Sequence, residues 1–217
     1  MPENQILDEL VYEPISGSLL YKDVRYLLIR PETLAGFQKN LVERCGQEGS
    51  AALFEGGYAG GSLSARKYQK IHNFCDQEIV KFMMNMGNQI GWGNFRLVSY
   101  DAALNHLCVA VHDSPFAQAY GPSSQGVCHL IRGVLAGMAE VLFDRTCNAA
   151  EVQCRAMGDE ACRFEIEAGK DKAGSGKLKA QSSKLKGESS KLKARSLKLK
   201  AQSSKLKGES SKLKAQS

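Results

Sequence analysis

No stretch of this chain approaches the ~20 consecutive apolar residues that a membrane-spanning helix requires. The first residues, Met1-Pro2-Glu3-Asn4-Gln5, lack the apolar run of a secretory leader, so the cytoplasm is the expected compartment. There is no CxxC pair, which removes the dithiol redox motif and the commonest zinc-finger spacing together. His72, His106, His112 and His129 form no H-x-x-x-H pair, and no Ser/His/Asp triad can be named. Nucleotide, flavin and haem fingerprints are missing, so a reductase reading has no electron source. Residues 56–61 (GGYAGG) are glycine-rich, but no Lys-Ser/Thr closes them into a phosphate loop and no strand precedes them. They read as a turn or a close helix approach.

What is there divides in two. Of the 29 basic residues, 15 lie from Lys170 onward with only 3 of the 23 acidic ones, so the tail carries +12 and the body −6. The overall +6 describes neither part. From Lys177 the tail repeats in sevens (KLKAQSS, KLKGESS), with a single Leu in most units. A coiled coil needs two apolar seam positions per heptad, so a disordered basic tail over 169–217 is expected. Its charge permits contact with an anionic membrane surface or with nucleic-acid phosphates.

The body is long enough for one well-buried core. Residues 1–17 read as an irregular lead-in. Strand-like runs follow within 18–30, then a helix from Pro31, a second helical stretch from Ala51 into the glycines, and a third over 71–86. Residues 95–100 and 107–112 alternate as strands, and 114–120 is a short helix or turn. A strong helix covers 126–143, and two more strands cover 149–156 and 162–166. That order predicts an α+β fold with an antiparallel sheet and packed helices. Trp92, the only tryptophan, reads as a core anchor or pocket wall, and residues 83–86 (MMNM) as helix packing or the lining of an adaptable apolar pocket.

Seven cysteines is an odd number; without a leader they read as thiols or metal ligands rather than a disulfide framework. Glu151, Cys154 and Cys162 share one block, EVQCRAMGDEAC, and Cys128 lies upstream at the head of a predicted helix. Three thiolates and a carboxylate form a four-coordinate zinc set, and a helix N-terminus favours the Cys128 thiolate. Residues i and i+3 of an ideal strand face opposite ways, so Glu151 and Cys154 converge only at a bulge or a strand end. Buried cysteines also serve as plain core, and spacing alone leaves both readings open. Cys45, Cys75, Cys108 and Cys147 read as core or surface thiols.

The pattern Cys128, a helix carrying Gly133 and Gly137, then E-x-x-C-x-x-x-G-x-x-x-C resembles the 4-vinyl reductase domain. That family includes sensor domains of bacterial phenol- and aromatic-hydrocarbon-responsive transcription activators, an accessory protein of bacteriochlorophyll synthesis, and stand-alone proteins. Upstream, VRYLLIR (24–30) and GGYAG (56–60) resemble the N-terminal half of the same sensors. The resemblance implies one ligand-binding domain over 18–168, of the nitric-oxide-signalling/Golgi-transport fold type, that forms a homodimer. It implies a structural zinc on Cys128, Glu151, Cys154 and Cys162, and a pocket near Trp92, His112 and Phe116. Phenol sensors hold the hydroxyl with a histidine and a tryptophan; Phe116 stands where that tryptophan falls, and 86–92 contains no histidine. Phe has no donor, so the resemblance implies a more apolar or differently functionalised ligand than phenol. The expected function is that of a non-enzymatic, sensor-type domain that binds a small hydrophobic or aromatic molecule and signals to a partner protein. The alternatives are a scaffold like the vesicle-tethering subunits, or an accessory to tetrapyrrole reduction.

Overall fold

The computed structural model describes residues 4–169. The basic tail predicted to be disordered lies outside the described residues from Lys170 onward.

The segment expected to be an irregular lead-in is structured. Asn4 caps a one-turn helix, α1 (Gln5–Asp8), by accepting the Leu7 N–H. Ile6 is buried in the core, and the Gln89 side chain and carbonyl bond the Ile6 N–H and the Asn4 amide. β1 (Val11–Glu13), β2 (Ser18–Tyr21) and β3 (Val24–Tyr26) then form an antiparallel sheet. β2 and β3 fall within the strand-like stretch read from the sequence, whereas β1, of three residues, carries too little alternation to be read. Lys22 and Asp23, with φ of 47° and 61°, form the tight turn between β2 and β3. Pairing stops at Tyr26, so residues 27–30, which read as strand, run outside the sheet with Leu27 and Leu28 exposed.

Three helices follow: α2 (Pro31–Cys45), α3 (Gln47–His72) and α4 (Asp76–Gln89). α3 continues through the glycine-rich residues 56–61 and ends at Asn73, which is left-handed. The helix predicted over 71–86 is therefore divided between the last residues of α3 and most of α4. Gly57 and Gly61 are there for α6 (His129–Phe143), which crosses α3 at backbone contact. A Cβ at Gly57 would stand 2.2 Å from the Leu130 carbonyl oxygen, and one at Gly61 2.1 Å from that of Val134. From the other side, a Cβ at Gly133 or Gly137 would stand 2.0 Å from the carbonyl oxygen of Phe54 or Tyr58. Glycine costs a helix about 1 kcal/mol per position relative to alanine, and here interhelical packing offsets that cost.

β4 (Asn94–Asp101), β5 (His106–His112), β6 (Cys147–Gln153) and β7 (Cys162–Ala168) form a second antiparallel sheet in the order β4-β5-β7-β6. Leu107, Val109 and Val111 of β5 and Phe164 and Ile166 of β7 are fully buried and join the core cluster with α6. α6 packs on β6 and β7 on one side and on α3 on the other. This explains why its apolar residues run nearly all the way round: Ile131, Leu135, Ala136, Met138, Ala139 and Leu142 are all buried. α5 (Pro115–Tyr120) packs against α2 and against a single 3-10 turn, Arg155–Met157. The fold is α+β, with antiparallel sheets and packed helices, as predicted. Among the described residues, no helix is long and apolar enough to cross a membrane.

Candidate metal centre and ligand cavity

The four residues singled out in the sequence meet in space. The ligand atoms of Cys128, Glu151, Cys154 and Cys162 all lie within 4.8 Å of one another. Each arrives from a different feature. Cys128 is the N-cap of α6, and the residue before it is held by Gln38 of α2, whose side-chain amide donates to the Val127 carbonyl at 2.6 Å. Glu151 lies on β6 and Cys154 follows its last residue; the register shift between Glu151 and Gln153 is the irregularity that an i, i+3 pair needs to converge. The Asp159 carboxylate accepts the Cys154 N–H at 2.8 Å, and Gly158 (φ 101°) turns the chain back. Cys162 then opens β7.

The Cys128–Cys162 and Cys162–Cys154 sulfur distances are 3.6 and 3.9 Å. A disulfide needs about 2.05 Å. Two sulfurs bound tetrahedrally at the ~2.3 Å of a zinc–thiolate bond stand about 3.8 Å apart, which these distances bracket. Glu151 Oε2 accepts the Cys128 N–H at 2.9 Å, while its Oε1 is buried without a protein partner. Gly126 makes the room: a Cβ there would stand 2.6 Å from Glu151 Oε2. The orphaned carboxylate oxygen and the sulfur spacing both fit a divalent cation.

The ionisation of the cluster points the same way. Burial first, and then the Cys154 thiol, push the Glu151 carboxyl up to about 8. Hydrogen bonding with Cys128 and Cys154 pulls Cys162 down to about 4, whereas Cys128, bonded to Cys154 and Cys162 and buried, is pushed far above an ordinary thiol. Cys162 takes the charge and Cys128 keeps its proton, because neighbouring buried anions repel one another. A bound cation reverses that preference and releases protons. The Arg155 N–H donates to Cys162 Sγ at 3.4 Å, and Ser114, fully buried, sets its hydroxyl 3.8 Å from Cys128 Sγ. Sequence reasoning missed Ser114; its only signal is a serine followed by Pro115, which marks a helix start.

A cavity of about 240 Å³ opens beside α3, α4 and α6. Met83, Met84, Met86, Met138, Trp92 and Phe95 line it, and Gly56, Gly57 and Gly60 form part of its α3 wall. Its polar groups are the Ser64 and Tyr26 hydroxyls and the Trp92 indole N–H; the Tyr26 hydroxyl already bonds the Tyr68 hydroxyl and lies 3.4 Å from Met86 sulfur. The wall carries no charged residue. Of the three residues expected at a pocket, only Trp92 lines this one. Phe116 packs edge-on against Trp92, with ring centroids 5.3 Å apart, and does not line the cavity itself. His112 is off the wall, because strand alternation turns it away from the face that buries Leu107, Val109 and Val111.

Comparison with known proteins agrees with this architecture. Residues 107–168 match the family model of the 4-vinyl reductase domain. The chain is 26% identical to the phenol regulator MopR of Acinetobacter guillouiae over 173 residues, covering 73% of this chain and 30% of that protein. It is 25% identical to an uncharacterized protein of Methanocaldococcus jannaschii over 92 residues, covering 42% of this chain and 55% of that one. The chain thus spans less than a third of the first relative and about half of the second. The crystal structure of the phenol-responsive sensory domain of the transcription activator PoxR with phenol superposes with a TM-score of 0.66. That match is 19% identical and covers 75% of this chain and 86% of that one. The matched segment runs from β5 to β7 and contains all four converging residues, so the family that the sequence resembles is the one whose model residues 107–168 match.

Proposed function

We propose that this domain is a zinc-stabilised, non-enzymatic receptor for a small apolar or aromatic molecule, which it reports to a protein partner. The observation that carries this reading is the apolar cavity, one wall of which is α6, the helix whose N-cap Cys128 belongs to the four-residue cluster. Zinc would be held by Cys128, Glu151, Cys154 and Cys162. Four protein ligands leave no open position for water or substrate, so the metal would act as a staple between α6 and the β6–β7 hairpin and not as a Lewis acid. The cavity lies below the ~300–1,000 Å³ typical of sites for drug-sized ligands, which suits a molecule of about one substituted ring and not a tetrapyrrole. Its wall offers no charge partner, so ionised ligands would lose solvation without compensation. MopR is named a phenol regulator and the PoxR domain was crystallised with phenol; these relatives support an aromatic ligand class. The functional unit is taken as residues 18–168 with the ordered segment 4–17 folded onto it, acting as a homodimer in the cytoplasm.

Trp92 gives the test, since it is the only tryptophan and lines the cavity. Toluene titrated into zinc-loaded protein should saturate a change in tryptophan emission, and Met138→Trp, which fills the cavity, should abolish toluene binding measured by calorimetry. A zinc-loaded, folded protein that takes up neither toluene nor phenol would refute the receptor reading.

A further inference from the structure

The N-terminal sheet sends one side chain to the cavity. Tyr26 closes β3, paired with Leu19 of β2, and is the residue of that sheet that lines the wall. Its ring meets Tyr21 edge-on at a centroid distance of 6.5 Å, and Tyr21 lies 6.1 Å from Tyr68 of α3. The Tyr26 hydroxyl bonds the Tyr68 hydroxyl and lies 3.4 Å from the sulfur of Met86, a wall residue on α4. Tyr68 itself is wholly buried. Two hydroxyl protons need acceptors here. Burial raises both phenols above their ordinary values, so both keep their protons at neutral pH. Among the described residues, the Tyr68 hydroxyl has Tyr26 as its one hydrogen-bond partner. A buried donor left unpaired is costly, so Tyr68 donates to Tyr26, and Tyr26 must send its own proton elsewhere. The acceptor in reach is Met86 sulfur, and a thioether accepts weakly.

We propose that Tyr26 selects the ligand: the cavity takes a small aromatic molecule carrying a neutral oxygen acceptor, a carbonyl above all, and Tyr26 donates to that oxygen in place of Met86 sulfur. This rests on the receptor function proposed above and narrows its ligand class. The wall is rich in donors and poor in acceptors. The Trp92 indole N–H only donates, and the Ser64 hydroxyl, on α3, can bond a carbonyl of its own helix. A carbonyl oxygen is a much stronger acceptor than a thioether, so a ketone or aldehyde gains a hydrogen bond that a plain hydrocarbon ring cannot make. A carboxylate would meet no counter-charge on this wall and would lose its hydration, so the neutral carbonyl is favoured over the acid. The β2–β3 pair thereby acquires a role: it holds the selecting hydroxyl against α3 and α4.

Acetophenone and α-methylstyrene test it, because they share a shape and differ in having C=O or C=CH2 beside the ring. Calorimetry measures the affinity of the purified full chain for each, in the wild type and in the Tyr26→Phe and Met86→Leu variants. In Tyr26→Phe the ketone-to-hydrocarbon affinity ratio should fall on the order of fivefold, which is what one net hydrogen bond contributes. Simple destabilisation would weaken both affinities and leave their ratio intact. In Met86→Leu the ratio should rise above wild type, because the Tyr26 proton then has no acceptor until the ketone supplies one. Tyr26→Phe with the wild-type ratio overturns the assignment, and so does Met86→Leu with a ratio no higher than wild type. Should Tyr26→Phe fail to fold, Met86→Leu decides alone. In each of these cases both molecules still bind the wild type, so the receptor function stands. If wild-type protein binds neither molecule, the function itself fails and takes this inference with it.

Discussion

Replacing Gly137 by alanine tests the feature that positions both sites. The new methyl carbon would lie 2.0 Å from the Tyr58 carbonyl oxygen and 2.9 Å from the Ser62 nitrogen. Both are backbone atoms of α3, and neither can swing aside as a side chain could. Ordinary van der Waals contact begins near 3.4 Å. The helices must therefore separate locally by roughly 1 Å or more, in a core where overpacking costs about 1–3 kcal/mol. Alanine returns about 1 kcal/mol of helix propensity. With two immobile backbone partners the upper end of the cost applies, and the net loss should be about 2 kcal/mol. For a chain of this size that lowers the unfolding midpoint by roughly 4–8 °C. Gly36→Ala in α2 is the control: a Cβ there meets nothing within 4 Å, so the substitution should be stabilising by about 0.5–1 kcal/mol. Thermal unfolding followed by circular dichroism in the presence of zinc reads both. If Gly137→Ala matched Gly36→Ala in stability, α3 and α6 would not cross at backbone contact, and the cavity wall built from Gly57, Leu130 and Val134 would have to be redrawn.

Other outcomes follow from the same geometry. In metal-loaded protein only the exposed Cys45 and Cys75 should react quickly with a thiol reagent; chelation should add Cys162, whose thiol is pulled down to about 4. Cys147 should stay slow in both states, because burial pushes its thiol up to about 12, and peptide mapping that found no chelator-dependent labelling would contradict the cluster. Gly126→Ala should displace the Glu151 carboxylate and weaken zinc on the order of tenfold in a chelator competition; unchanged affinity would remove Glu151 from the ligand set. On the outer face of the main sheet, burial raises Glu165 but hydrogen bonds from Cys108, His106 and Arg163 together leave it below the usual carboxylate range. Its stabilisation is therefore present above an unfolded-state value of about 4.3 and lost as pH falls below it. Wild type should exceed Glu165→Gln in stability at pH 6, with the gap closing toward pH 3; a gap that did not change with pH would show that the carboxylate charge is not what the cluster uses.

The cluster of three cysteines and a glutamate was legible because its spacing is a pattern of residue types, and the demand for a bulge followed from strand geometry alone. The register shift at Glu151 and Gln153 meets that demand. The helices and long strands were legible through periodicity. The glycines of 56–61 were read as a turn or a close approach. The close approach is what they make, within one unbroken helix, and only a partner such as α6 can justify so much glycine there. α1 and β1 escaped because elements of three or four residues have no period to detect, and their order comes from contacts such as Asn4 and Ile6 with Gln89. The cavity was half legible. Trp92 and the methionines of α4 line it, but His112 and Phe116, expected there from the family resemblance, do not. Ser114 was missed because nothing in sequence shows that a helix cap also faces a sulfur 14 residues later.

The central claim is that Cys128, Glu151, Cys154 and Cys162 jointly hold one zinc ion that staples α6 to the sheet. Native mass spectrometry of freshly purified protein, paired with elemental analysis, tests it most directly. The account predicts one zinc per chain in the wild type, none in Cys154→Ser/Cys162→Ser, and a lowered unfolding midpoint for wild type in chelator. Metal-free wild-type protein whose unfolding midpoint is the same with and without chelator would contradict it.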